Sequence, residues 1–149
     1  MTINIEITRQ PDTEALAAIH RSCFETPWDA QAIAELLYYS GTQALVAQDY
    51  TGFALTRTIY DELEILTLAV SPEHRRHGIG KALLEAILNW AREKGVKTIF
   101  LEVRISNEAA QELYKNAGFE LLNTRKDYYR NADGTHEDAA VMRKKLESE

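Results

Sequence analysis

The chain opens on an alternation: Ile3, Ile5 and Ile7 stand between polar residues, the period of a strand with one face buried. From Asp12 the period lengthens. Leu16, Ile19 and His20 fall on one face of a helix over residues 13–23, and Asp12 is placed to cap its first turn. Pro27-Trp28-Asp29 breaks that pattern, and Asp29 caps a second helix that runs to about Tyr39 and closes near Gly41. Residues 43–48 and 53–58 read as strands about the turn Asp49-Tyr50-Thr51-Gly52, and residues 63–70 as a third strand stopped by Ser71-Pro72. The longest helical pattern follows, from Gly78 to Lys94, with Ile79, Leu83, Ile87 and Trp90 on one face and Gly95 just past its end. Residues 98–103 form an apolar, β-branched strand. Residues 108–116 form a short helix capped by Asn107 or Ser106 and closed by Gly118. Two strands, 119–128 and 138–144, meet across Asn131-Ala132-Asp133-Gly134, whose Asp-Gly is a hairpin signal.

The order predicted is β-α-α-β-β-β-α-β-α-β-β. Residues 63–103 make a strand–helix–strand unit, which the right-handed crossover rule makes parallel, while the hairpins on either side are antiparallel. The fold class is therefore α/β with a mixed parallel and antiparallel central sheet flanked by helices. No repeat, low-complexity tract or linker interrupts the 149 residues, so residues 1–149 are expected to form a single domain.

Composition narrows the function. Lys plus Arg is 17 against 23 Asp plus Glu, a formal charge of −6, which opposes a surface built to neutralise nucleic-acid phosphates. A lone cysteine, Cys23, excludes an intrachain disulfide framework, and on its helical pattern it reads as a buried small hydrophobe. No apolar run approaches the roughly 18–20 residues of a membrane span, and the opening residues lack the basic and apolar regions of a signal peptide. A cytoplasmic protein is expected, without membrane or direct nucleic-acid partners. His20, His74, His77 and His136 have no metal-ligand spacing, so no metal site is expected.

Chemistry gathers where the third strand hands over to the long helix, at Val70-Ser71-Pro72-Glu73-His74-Arg75-Arg76-His77-Gly78-Ile79-Gly80-Lys81. A helix N-terminus offers unpaired N–H groups and the positive end of a dipole, glycines let a ligand approach the backbone, and Arg75, Arg76 and His77 add positive charge. The P-loop pattern fails here, because Lys81 is followed by Ala82 and its glycine spacing is missing. The dinucleotide fingerprint fails too, since its third glycine would fall at Leu83 and the chain carries a lone strand–helix–strand unit.

Arg-x-x-Gly-x-Gly at 75–80, after Leu68-Ala69-Val70-Ser71-Pro72, resembles the acyl-CoA loop of the GNAT acetyltransferase superfamily. The resemblance continues through Leu101-Glu102-Val103-Arg104-Ile105-Ser106-Asn107, Leu113-Tyr114-Lys115-Asn116-Ala117-Gly118-Phe119, Lys126-Asp127-Tyr128-Tyr129 and Glu137-Asp138-Ala139-Ala140, with Pro27-Trp28 near the start. Within the superfamily these stretches look like the RimI-type ribosomal-protein-alanine N-acetyltransferases. Thr67 departs from them, standing where many relatives carry Asn.

The resemblance implies a single-domain GNAT fold, with acetyl-CoA as co-substrate and the N-terminal segment of a small-subunit ribosomal protein as acceptor. Leu68, Ala69 and Val70 would offer backbone groups to the pantetheine arm beside a splay in the sheet. Arg75 and the run Arg76, His77, Gly78, Ile79, Gly80 and Lys81 would hold the pyrophosphate, and Asn107 would touch the arm or simply cap its helix. Glu102 would be the general base, with Glu62 and Glu64 as rivals on the neighbouring strand; Tyr114 would place its hydroxyl near the CoA sulfur. Trp28, Tyr128 and Tyr129 would wall a peptide channel, and Glu35, Glu62 and Glu64 would meet a basic peptide. An α-amine titrates near 7.7–8.0 and an ordinary glutamate near 4.3, so complete transfer between them is uphill by about 5 kcal/mol. Three routes remain open: a Glu102 raised by burial, a relay through water, or uptake of the proton as the tetrahedral intermediate forms. The alternatives are a GNAT enzyme for other protein N-termini or small amines, and a non-catalytic acyl-CoA-binding module.

Overall fold

In the computed structural model, which describes residues 2–146, the elements follow the predicted order. They are β1 (Ile5–Thr8), α1 (Thr13–Cys23), α2 (Ala30–Tyr38), β2 (Thr42–Ala47), β3 (Gly52–Ile59), β4 (Glu62–Val70), α3 (Ile79–Glu93), β5 (Thr98–Arg104), α4 (Glu108–Asn116), β6 (Glu120–Arg130) and β7 (His136–Lys145). The three predicted caps form: Asp12, Asp29 and Asn107 accept from the N–H groups of Ala15 (3.1 Å), Ala32 (2.8 Å) and Ala110 (3.1 Å). Each such cap is worth about 1 kcal/mol.

The strands make one seven-stranded sheet in the order β1-β2-β3-β4-β5-β7-β6. β4 and β5 are parallel, joined through α3, and the other neighbours are antiparallel. α3 covers one face, packing Leu83, Leu84 and Ile87 on Leu63, Ile65, Ile99, Leu101 and Met142. α1 and α2 cover part of the other, packing Leu16, Ile19, Ile33 and Leu37 on Val46, Phe53 and Leu55. Each fully buried Leu, Ile or Phe contributes about 1.5–3 kcal/mol, so the two layers hold the sheet from both sides. Ile7 differs from expectation. It sits on an edge strand with a neighbour on one side only and is 42% exposed, while Ile3 and Ile5 pack on the α3 core.

One irregularity shapes the molecule. Leu55 pairs with Thr67 but Thr56 pairs with Ile65, which leaves Leu66 as an extra residue on β4. Before the bulge Leu63 and Ile65 face α3; after it Leu68 and Val70 do, and Ala69 turns to the α1 layer. Parallel pairing of β4 with β5 runs from Glu62↔Thr98 to Ile65↔Leu101 and stops at this point. β5 continues with β7 as far as Arg104↔Ala139, so the two strands part and the sheet opens between them. Among the described residues no helix is long and apolar enough to cross a membrane.

Candidate active site

The opening between β4 and β5 is a cleft of roughly 370 Å³. Its floor is Ile65–Leu68 and Leu101–Arg104, and its rim comes from the α1–α2 loop, α4 and Tyr129. Of the predicted residues, Glu102, Tyr114, Asn107, Leu68, Trp28 and Tyr129 line this cleft together.

Glu102 alternates with buried Leu101 and Val103, which places its carboxylate on the face that α3 does not cover. Oε1 accepts from Arg125 Nη1 at 3.0 Å; Oε2 is buried and has no hydrogen-bond partner among the described residues. An orphaned carboxylate oxygen in a cleft is an acceptor waiting for a donor. Tyr114, on α4, is buried and packs edge-on against Phe119 with ring centroids 5.5 Å apart. Burial, and then the nearby Tyr129, push its phenol above the usual tyrosine range, so it stays a protonated donor. Tyr129 is pushed up to about 12, first by burial and next by the Glu102 charge.

Tyr129 reaches the cleft through a second irregularity. Arg125 pairs with Ala139 and Tyr129 with Glu137, so residues 126–128 bulge opposite Asp138. Asp127 takes a left-handed φ of 54° and its N–H donates to Asp138 Oδ1 at 2.9 Å. Arg104 then lies over the Tyr129 ring at 4.6 Å and donates to Glu137 (3.2 Å) and Asn131 (2.7 Å). Ser106, through its side chain and then its backbone N–H, and after it the Arg104 guanidinium, hold the Glu137 carboxyl below the usual range. Arg125 lies over the Tyr128 ring at 4.3 Å, so Tyr128 flanks the Glu102 pair while remaining largely exposed.

At the start of α3, Gly78 takes a left-handed φ of 81° and Ile79 turns right-handed, the alternation that gathers successive N–H groups into a concave nest. Arg76 is also left-handed, at φ 65°. The N–H groups of Ile79, Gly80 and Lys81 lie in the first turn, which has no intrahelical acceptors. A Cβ on Gly80 would meet Leu113, Val70 and Leu68 at ordinary distances of 3.6–3.9 Å, so the fold does not need glycine there. That position faces protein side chains, so the groups left for a ligand are the free N–H groups of the turn, which fit a pyrophosphate. Arg76, His77 and Lys81 are exposed beside it.

Arg75 behaves differently from its neighbours. Its Nε donates to the Val70 carbonyl at 3.2 Å, and Nη2 lies 3.4 Å from Cys23 Sγ, whose thiol donates to that same carbonyl at 3.3 Å. Cys23 is thus not a buried hydrophobe. The end of α1 abuts the end of β4, and Cys23 is half-buried on the cleft wall. The acidic residues expected to meet a peptide also lie elsewhere: Glu62 and Glu35 are exposed off the cleft, and Glu64 pairs with Arg57 at 3.3 Å. Glu25 lines the cleft instead, bridging the α1–α2 loop to the β6–β7 turn by accepting from the Ala132 N–H at 2.9 Å. Arg104 and Arg125 escape a sequence reading because cross-strand register, not spacing, brings Arg104 to the cleft and Arg125 to Glu102; Glu25 escapes it because a loop between helices carries no period. Asn107 Oδ1 is used in capping, which leaves its amide nitrogen for other partners.

This fold and loop define an acetyltransferase class: residues 13–119 match the model of the acetyltransferase (GNAT) family, and the chain belongs to that family. Among its relatives is the [Ribosomal protein bS18]-alanine N-acetyltransferase of Haemophilus ducreyi, 36% identical over 143 residues, covering 93% of this chain and 97% of the relative. The crystal structure of the ribosomal-protein-S18-alanine N-acetyltransferase from Escherichia coli superposes with a TM-score of 0.90 at 30% identity, covering 99% of this chain and 96% of that one. Arabidopsis thaliana NAA60 in complex with acetyl-CoA shares the fold, with a TM-score of 0.85 at 22% identity over 97% of this chain and 99% of that one.

Proposed function

We propose that this chain transfers the acetyl group of acetyl-CoA to the N-terminal α-amine of ribosomal protein bS18, at alanine, acting in the cytoplasm as one domain over residues 1–149. The observation that carries the reading is the Glu102 carboxylate and the Tyr114 phenol lining the same cleft at the sheet's splay. Support comes from relatives of that activity along nearly the whole chain.

The residues divide the work. Backbone groups of Leu68 and Val70, turned away from β3 by the ladder register, meet the pantetheine arm, while those of Ala69 pair with Phe53 and the Val70 carbonyl is engaged by Arg75 and Cys23. The nest from Arg76 to Lys81 holds the pyrophosphate, and Arg75 braces β4 behind it. Acetyl-CoA supplies a thioester whose carbonyl carbon the neutral amine attacks, with the thiolate leaving. Glu102 receives the proton the amine loses, through its free Oε2, while Arg125 keeps Oε1 occupied. Tyr114 donates a hydrogen bond to the departing sulfur; with its pKa raised it does not give up the proton. Tyr129 and Trp28 flank the acceptor.

The test is incubation of the protein with acetyl-CoA and peptides beginning Ala, Ser, Met or acetyl-Ala, followed by mass and free-thiol release. Acetylation of the Ala α-amine, with the blocked peptide untouched, is expected. Lysine modification of the blocked peptide, or no turnover on any peptide, overturns the reading.

A further inference from the structure

His20 is buried, at 3% exposed, and takes no part in the transfer described above, yet it lines the same cleft. Its ring stacks between Phe24 (centroids 4.2 Å) and Trp28 (4.8 Å), the aromatic residues of the α1–α2 loop. Both ring nitrogens are engaged. The backbone N–H of Trp28 donates to Nδ1 at 3.0 Å, and Nε2 stands 3.3 Å from Thr67 Oγ1. An amide N–H can only donate, so Nδ1 carries no proton and the neutral ring bears its hydrogen on Nε2. Nε2–H therefore donates to the Thr67 hydroxyl. Thr67 is the residue after the Leu66 bulge, where β4 leaves β5, and it too lines the cleft. One ring thus ties the acceptor-side loop to the strand segment on which the acyl donor is read to lie.

We propose that His20 is a positioning residue: through Nδ1 and Nε2 it holds Trp28 at a fixed distance from the splayed end of β4, and so sets the seat of the incoming amine. The assignment rests on the acetyl-transfer reading above. Burial keeps the ring in the neutral form that the two hydrogen bonds require. The tie also gives the departure at Thr67 a role. A threonine hydroxyl accepts from an imidazole N–H at this reach, and His20 and Thr67 form a matched pair.

The experiment compares Thr67→Val, Thr67→Ser, His20→Asn and His20→Leu with the parent. Thr67→Val keeps the shape and removes the acceptor; His20→Asn can still accept from Trp28 but does not reach Thr67. Each lost hydrogen bond should raise the peptide KM roughly three- to tenfold. His20→Leu should raise it most, Thr67→Ser should retain the parent value, and kcat and the acetyl-CoA Kd should hold. In a Trp90→Phe background Trp28 is the remaining tryptophan, and the same variants should expose it to acrylamide quenching. Unchanged peptide KM and unchanged quenching in Thr67→Val and His20→Leu overturn the assignment. So does a joint rise of peptide KM and acetyl-CoA Kd with a lowered Tm, which marks a merely structural residue. If the parent acetylates no peptide, the acetyl-transfer reading fails, and Trp28 quenching alone decides for or against the tie.

Discussion

Arg125 on β6 reaches over β7 to Glu102 on β5, closing to 3.0 Å between Nη1 and Oε1. The arginine stem lies across the intervening strand while its head meets the carboxylate, which leaves Oε2 as the free oxygen. The Arg125 side chain is 54% exposed, so water screens the pair and its worth stays near 1 kcal/mol. Arg125→Met should lower kcat/KM by about fivefold, through loss of orientation. A loss as large as that in Glu102→Gln would place Arg125 against the reacting atoms instead.

Tyr114→Phe should slow the chemical step by roughly tenfold or more, with little change in acetyl-CoA affinity, because it removes a hydrogen bond made to the leaving sulfur. The raised phenol pKa fixes the sign of its pH dependence. The donor form persists above pH 10, so ionisation of Tyr114 should cause no fall in rate up to that pH. Stability linked to the buried phenol is full below about pH 10 and lost above it, where an unfolded tyrosine ionises first. The stability of the parent should fall relative to that of Tyr114→Phe as pH rises past that value.

Two glycines of the α3 entrance should separate. Gly80→Ala meets Leu113, Val70 and Leu68 at ordinary contact distances and leaves the N–H groups of the turn in place, so Tm and acetyl-CoA Kd should both hold. Gly78→Ala is forced at φ 81° and should lower stability by about 1 kcal/mol. Thermal melts and acetyl-CoA titration of both variants check the contrast. A fall of Tm in Gly80→Ala as large as that in Gly78→Ala would contradict it.

His20 carries a pH signature. Burial among Phe24, Trp28 and Phe53 lowers its pKa from 6.5 to about 4. Between those values the unfolded chain binds a proton that the folded chain refuses, so the His20 contribution is full above pH 6.5 and is lost as pH falls toward 4. The shift corresponds to about 3 kcal/mol. Urea midpoints of the parent should fall more steeply than those of His20→Leu across this window, and parallel curves would show the ring is not held neutral.

Local chemistry was legible in the chain. Asp12, Asn107 and the period of α3 each depend on residues within a turn or two, and the structure places them as expected. The glycine loop was equally readable, since a strand, a basic turn and a helix start are contiguous. What escaped depends on register. The extra residue Leu66 opens the sheet, yet nothing in Ile65-Leu66-Thr67 distinguishes a bulge from regular pairing. The bulge opposite Asp138 brings Tyr129 to the cleft and leaves Arg125 beside Glu102, distances that no spacing along β6 encodes. Cys23 follows the same rule, because helical period gives it a face but not the strand end it meets.

That Glu102 takes the proton of the attacking amine is tested most directly by single-turnover acetyl transfer in Glu102→Gln loaded with acetyl-CoA. Expected is a rate at least about a hundredfold below the parent at the same acetyl-CoA Kd, the loss a positioned general base commonly supplies. A rate equal to the parent's would contradict the assignment.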